Sequence, residues 1–142
     1  MAGTGSRSRR GQTAVEFALV LPLLMAVIFG AVEFGTAMYD KAVVTNASRE
    51  AARAGIVGTT PRPSDATIKL VAKNYSSGRL VNFKTGTTDT AVTTISPVLA
   101  SRTSGTVITV TTTYTYSLFL VPKWIPGFGT FSLTGMTRMR ME

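Results

Sequence analysis

The hydrophobic pattern divides the chain into one long apolar segment near the N-terminus and a series of shorter, alternating segments behind it. Residues 17–32 are uncharged and almost entirely apolar. A helix needs about 20 such residues to cross a bilayer, so flanking residues extend the predicted transmembrane part to about 14–36. This span places Glu16 and Glu33 near the two membrane faces.

Helix-forming residues continue beyond the apolar run. The pattern predicts one helix over residues 12–55, with Gly55 as its C-cap. Gly and Pro residues mark a linker over 56–64. A second, amphipathic helix is predicted from Asp65 until Ser77-Gly78.

The rest of the chain has the alternation of half-buried strands, with turn residues between them. Four strands are predicted, over residues 80–83, 90–98, 106–120 and 131–141. The loop over 121–129 carries Trp124, interpreted as a core residue. The predicted fold is α+β: a long N-terminal transmembrane helix followed by a small head, residues 65–142, with one helix and an antiparallel β-sheet.

Composition excludes several kinds of chemistry. The chain has no cysteine and no histidine, so disulfides, thiolate metal sites and the commonest zinc ligand are absent. Its carboxylates are scattered, and no catalytic constellation emerges. We therefore expect no enzyme activity, no metal and no cofactor. The net charge of +8 is spread thinly once the first residues are set aside, so we expect no specific nucleic-acid partner.

Three arginines, Arg7, Arg9 and Arg10, precede the apolar run. Residues 1–11 are predicted to be a disordered cytoplasmic leader, and the positive-inside rule directs the C-terminal head outward. In an ordinary secretory signal the cleavage site follows the apolar stretch. Here the candidate site between Gly11 and Gln12 precedes it, so cleavage would leave the helix on the mature protein.

The order Gly11, Glu16, Phe17 and then an apolar segment resembles the processing site of type IV prepilins. It is most similar to the TadE-like pseudopilins of tight-adherence (Flp) pilus systems. The resemblance implies that Gly11 precedes the cut and that Gln12 becomes the N-terminus. It also implies that Glu16, the acid at mature position five, and the aromatic Phe17 serve assembly.

Electrostatics gives Glu16 a reason to pair. A charged side chain inside a bilayer costs about 2.5–3.5 kcal/mol on insertion scales. An α-amino group formed at Gln12, on this or a neighbouring chain, is a natural partner when helices bundle. The alternative is a plain interfacial glutamate.

Two further sets of residues are candidates for packing or recognition. The small-residue pairs of the apolar helix would let helices approach closely; they are Ala26 with Gly30, and Ala31 with Gly35. The segment from Ser48 to Gly55 also resembles the end of the long helix in TadE-like proteins. Its charged residues Arg49, Glu50 and Arg53 are either a partner-recognition or head-packing patch or an ordinary solvated group.

The resemblance implies a minor pilin, or pseudopilin, matured by a prepilin peptidase and acting in pilus structure or assembly. Its partners would be that peptidase, other pilin subunits, inner-membrane assembly proteins and membrane lipid. It would be a single-pass protein of the inner membrane, with incorporation into surface pili as an alternative. A TadF-like minor pilin remains open, and so does a filament-forming main pilin, although main pilins are typically much shorter. A membrane-anchored adhesive or DNA-binding module is the other alternative, hinted at by Lys123-Trp124, Arg138 and Arg140.

Overall fold

The structure, a computed structural model, describes residues 6–81, 91–118 and 129–142. These residues form two helices, three strands and a short 3-10 turn over Leu99–Ser101. The helices and strands are α1 (Ser6–Ile56), α2 (Asp65–Ser76), β1 (Val92–Ser96), β2 (Val107–Ser117) and β3 (Thr130–Arg140). The strands form one antiparallel sheet in the order β1-β2-β3. The predicted α+β fold is confirmed.

Helix α1 is longer at its N-terminus than the sequence predicts. It begins at Ser6 and runs without interruption through Pro22, so the disorder predicted for residues 1–11 is wrong for residues 6–11. Adding a residue to an existing helix fixes only that residue, which costs much less than nucleation. The long apolar helix therefore carries the arginine-rich segment with it.

The C-cap interpretation of Gly55 is also wrong. The helix ends one residue later, at Ile56, and Gly55 is not among the glycines with positive φ. A Cβ at this position would lie 2.8 Å from Ile108 Cδ1 and 3.0 Å from Ile68 Cδ1. Gly55 therefore serves close packing between α1, α2 and β2.

The C-terminal part of α1 lies across the inner face of the sheet. Small residues make this possible: Ala47, Ala51 and Ala52 are fully buried. The backbone of α1 comes very near β3 at Gly135, where a Cβ would lie 2.6 Å from Thr45 Cα. A glycine inside a strand often marks such an approach of another backbone.

The core consists of two adjoining clusters along α1. Both join side chains of α1 to the inner face of the sheet, and α2 completes the second. The first contains Ala37, Val43, Val44, Leu80, Ala91, Tyr114, Tyr116 and Leu133. The second contains Ala51, Ala52, Ile68, Ala72, Ile108, Val110 and Met141. The last five turns of α1 therefore belong to the core of the head.

The second helix follows its sequence signals closely. Ser64 is the N-cap, and its hydroxyl accepts a hydrogen bond of 3.2 Å from the Thr67 backbone N–H. Ile68 and Ala72 are buried on the inner side. Gly78, with φ of 71°, follows the helix end, as the Ser77-Gly78 signal predicts.

The strands agree with the predicted alternation where the structure describes them. In β2, residues 108, 110, 112, 114 and 116 are buried and their neighbours are not. Of the candidate strand 80–83, Leu80 and Val81 lie outside any strand, and the other two residues lie outside the described part of the chain. The predicted loop with Trp124 lies outside it too, apart from Gly129.

Candidate functional site

Helix α1 has two parts with different surroundings. In residues 11–32, here called the exposed half, every residue is exposed except the half-buried Leu21. In residues 33–56, here called the packed half, one face is buried against the sheet and α2. Residues 17–32 of the exposed half are apolar on almost all sides, so only lipid or other apolar helices suit them as surroundings.

Helix α1 is long and apolar enough over Gly11–Ile56 to cross a membrane, and no described part of the chain packs against its most apolar stretch. The first contact with the head comes at Glu33, which is buried. The head therefore begins over the last turn of the predicted transmembrane part, 14–36. At 1.5 Å per residue the exposed half is about 33 Å long, close to the thickness of a hydrocarbon core.

The predicted processing residues lie together at the N-terminal end of the exposed half. Gln12 and Glu16 are one helical turn apart, and the Gln12 amide donates a hydrogen bond of 3.1 Å to Glu16 Oε1. Gly11 and Phe17 are exposed, and nothing lies within 4 Å of a Cβ built on Gly11. An α-amino group formed at Gln12 would therefore lie within one turn of the Glu16 carboxylate.

The small-residue pairs have no partner within the described chain. Ala26, Gly30, Ala31 and Gly35 are all exposed, and a Cβ at either glycine would meet nothing within 4 Å. Their use in helix packing between chains stays a prediction.

Three charged residues near the C-terminal end of the packed half lie on its exposed side. Arg49, Glu50 and Arg53 are exposed, and Arg49 donates to Asn46 Oδ1 at 3.2 Å. No ion pair joins Glu50 to Arg53 among the residues that the structure describes. The segment packs on the sheet through its small residues instead, including Ser48, whose hydroxyl lies 2.7 Å from Thr137 Oγ1.

A buried polar cluster at the start of the packed half was missed by the sequence analysis, which placed Glu33 at a membrane face. The Tyr116 hydroxyl donates a hydrogen bond of 3.0 Å to Glu33 Oε1, and Thr36 Oγ1 lies 2.7 Å from the same hydroxyl. Burial raises the pKa of the Tyr116 phenol above its usual value, and the Glu33 carboxylate adds to that rise. The available signal was spacing: Glu33, Thr36, Ala37 and Asp40 lie on one helical face.

Two more buried charges hold the head together. Asp40 is fully buried and accepts a hydrogen bond of 2.9 Å from the Val81 backbone N–H. Arg102 is buried, pairs with Asp65 at the start of α2, and donates to the Pro97 carbonyl at 3.0 Å. Nowhere in the described ranges do three or more His, Cys, Asp or Glu residues come together as a metal site would require. The contacts of Asp40 and Arg102 therefore join separate elements of the head.

Comparison with known protein families identifies the N-terminal part of the chain. Residues 11–53 match the family model described as TadE-like protein. The match covers the exposed half of α1 and most of the packed half, and it ends before α2 and the sheet. No curated protein and no solved structure matched the chain.

Proposed function

Residues 11–53 form a TadE-like segment, and from this premise we propose that the protein is a minor pilin, or pseudopilin, of a tight-adherence pilus. It is a structural and assembly component rather than an enzyme. The single observation that carries the proposal is the division of α1 within this matched segment. One half is exposed and carries the apolar run over residues 17–32, and the other half is part of the core of a folded head.

This division suits a subunit that assembles through its helix. Apolar helices of several chains would bundle through their exposed halves, where Ala26, Gly30, Ala31 and Gly35 allow close approach. The heads would then be carried outside the bundle, each fixed to its own helix. A main pilin that is little more than a helix has no need of such a head, so a minor subunit is favoured.

Maturation is proposed to occur between Gly11 and Gln12, by a prepilin peptidase. Gly11 is exposed, and cleavage there would remove the arginine-rich leader but keep the whole exposed half. The arginines of the leader would hold the N-terminus on the cytoplasmic side. The head would then lie on the outer side of the inner membrane.

The test is the mass of the protein from membranes together with its N-terminal sequence. The proposal expects a mature chain that begins at Gln12. Gly11→Leu should retain the leader, whereas the control Gly30→Ala, at another exposed glycine of the same helix, should be processed normally. A chain that begins at Met1 would indicate a simple anchor. A start near Val32 would indicate a secretory signal with the helix discarded.

A further inference from the structure

Strand β3 lies at one edge of the sheet and presents a long row of backbone groups to its surroundings. Its pairing with β2 is continuous from Thr130 to Arg140, without a bulge. No other described strand pairs with its far side, and the strand contains no proline to interrupt the row. Proteins usually blunt such edges, because an unpaired edge is a template for another strand.

Hydrogen bonds at both ends of the strand show which residues face outward. The Leu118 N–H donates to Gly129 O, and the Met141 N–H donates to Thr106 O. Odd-numbered residues of β3 therefore bond to β2, because residues in an antiparallel ladder alternate in direction. The even-numbered residues direct their N–H and C=O groups to the outer edge, and all are exposed; they are Thr130, Ser132, Thr134, Met136, Arg138 and Arg140.

Cations flank this edge on both faces of the sheet. The Lys41 ammonium of α1 donates to the outward Thr134 carbonyl, while Arg138 and Arg140 lie on the outer face. None of the three is in an ion pair within the described part of the chain. The carboxylates of α1 nearest to Lys41 in sequence, Glu33 and Asp40, are buried; Glu33 accepts a hydrogen bond from Tyr116 and Asp40 accepts one from Val81.

We propose that the outer edge of β3 is a docking site for an extended, acidic segment of another protein, which adds to the sheet as a fourth strand. Backbone hydrogen bonds would supply affinity, as in other cases of strand addition. Carboxylates of the incoming segment would face Arg138 and Arg140, and one would draw Lys41 away from Thr134. Charge would thus select the partner.

Two observations argue against a second copy of this chain as the occupant. The described strands carry no Asp or Glu, so a copy's own strands would leave the cations unmatched. In addition, β3 runs in the same direction as α1, since Gly135 packs at Thr45 and Thr137 at Ser48. Antiparallel pairing of two β3 strands would make the two α1 helices antiparallel, which the proposed membrane anchoring forbids.

The test uses the full-length protein in detergent and two labelled peptides of about seven residues. One peptide alternates valine with glutamate, and the matched control replaces glutamate by lysine. The proposal expects the glutamate peptide to bind at least about ten-fold more tightly and to slow hydrogen exchange of amides within Thr130–Arg140. Failure of the glutamate peptide to bind, or equal binding of both, would overturn it.

Backbone variants separate strand addition from simple charge attraction. Met136→Pro removes an outward N–H that β2 does not use, whereas Met136→Ala removes only the side chain. Binding should weaken by about ten-fold in the first and stay nearly unchanged in the second. If Met136→Pro binds as well as the original, the edge only attracts anions and the proposal is wrong.

Self-pairing has its own readout. The chain has no cysteine, so Met136→Cys introduces a single thiol at the centre of the edge. The proposal expects no disulfide-linked dimer of this variant in membranes under mild oxidation. Efficient dimer formation would make a second copy the occupant and overturn the proposal. The inference rests on the membrane anchoring in the proposed function, but these readouts do not depend on cleavage at Gly11, so failure of the docking proposal can be told apart from failure of the proposed maturation.

Discussion

Gly135 is the residue on which the packing of helix against sheet depends most directly. A Cβ there would lie 2.6 Å from Thr45 Cα and 2.7 Å from Val44 O, both backbone atoms that cannot rotate away. We expect Gly135→Ala to reduce the free energy of unfolding of the head by about 1–3 kcal/mol, the usual cost of overpacking. Thermal unfolding followed by near-ultraviolet circular dichroism measures this.

Gly58→Ala is the matched control. A Cβ at Gly58 would meet only Glu142 O, at 3.9 Å, an ordinary contact. Its melting temperature should stay close to that of the original protein. If the melting temperature of Gly135→Ala were also unchanged, α1 would have to lie further from β3 than these distances indicate.

Tyr116 makes the head sensitive to alkaline pH. Its pKa is raised in the folded state, chiefly by burial and further by Glu33. The unfolded phenol ionises at about pH 10, and the folded one resists ionisation. The stabilisation is therefore complete below about pH 10 and is lost as the pH rises through the folded pKa.

Tyr116→Phe should change this behaviour in two ways. At neutral pH the head should lose about 1–3 kcal/mol, because the buried Glu33 carboxylate loses a hydrogen-bond donor. Above about pH 10 its stability should decline less than that of the original protein. Melting temperatures from pH 7 to 11 give the comparison, with the exposed Tyr39 changed to Phe as control. Parallel curves for Tyr116→Phe and the original would show that Tyr116 does not control the alkaline transition.

Contacts between residues that are distant in the sequence could not be predicted from it. The alternating sequence of β2 predicted one buried and one exposed face, because the side chains of a strand alternate whatever the strand packs against. It did not predict the Glu33–Tyr116 contact, which joins residues 83 positions apart. The role of Gly135 was missed for the same reason. A strand glycine signals a close approach, but the neighbour is set by how α1 crosses the sheet.

At the scale of elements, the packed half of α1 belongs to the head rather than to the candidate membrane span. Ala37, Val43, Val44, Ala51 and Ala52 supply the helix side of the two core clusters. We expect a fragment of residues 31–142 to be soluble and to unfold cooperatively. A fragment of residues 57–142 should lack a cooperative transition, because it exposes the inner face of the sheet.

Thermal unfolding of the two fragments, followed by circular dichroism, tests whether the head needs the packed half of α1 for its core. Cooperative unfolding of the shorter fragment would show that α2 and the sheet form a core of their own. Non-cooperative behaviour of both would show that the head needs the exposed half or its partners.

Element boundaries were predictable where a local signal fixed them. Ser64 and Gly78 mark the two ends of α2 because capping depends on neighbouring residues alone. The sequence placed the start of α1 too late. Residues 6–11 have no helix signal in their own composition, and they are helical because they continue the long helix that follows them. The prediction of a strand at residues 80–83 is wrong for Leu80. This residue is buried in one cluster with Tyr114 and Leu133, without strand pairing.

At the scale of the whole molecule, α1 joins two environments. The exposed half contains the apolar run of the candidate membrane span, and Glu33 begins the packed half. Any rearrangement of exposed halves during assembly would thus be transmitted to the heads, because the helix continues without a break from Ser6 to Ile56. Glu16 lies at the opposite end of the exposed half, where mature N-termini would meet.

Glu16 is expected to matter for assembly and not for insertion. Insertion is driven by the apolar residues that follow it, where Leu, Ile, Phe and Val each contribute about 0.3–0.6 kcal/mol. In an assembled bundle, an unpaired ammonium at Gln12 would be costly, and a neighbouring carboxylate offsets that cost. Glu16 already lies within hydrogen-bonding distance of the Gln12 side chain, so a carboxylate and a new N-terminus would share one turn of helix.

We therefore predict that Glu16→Ala is still cleaved and still membrane-bound, yet fails to support pili or to co-purify with other pilin subunits. Glu16→Asp, which keeps the charge, should restore part of the function. A complementation assay that scores cleavage, membrane fraction and surface pili separately measures each step. Normal piliation with Glu16→Ala would contradict pairing between Glu16 and a mature N-terminus, and Glu16 would then be an ordinary interfacial residue. Loss of cleavage in the same variant would instead assign Glu16 to recognition by the peptidase.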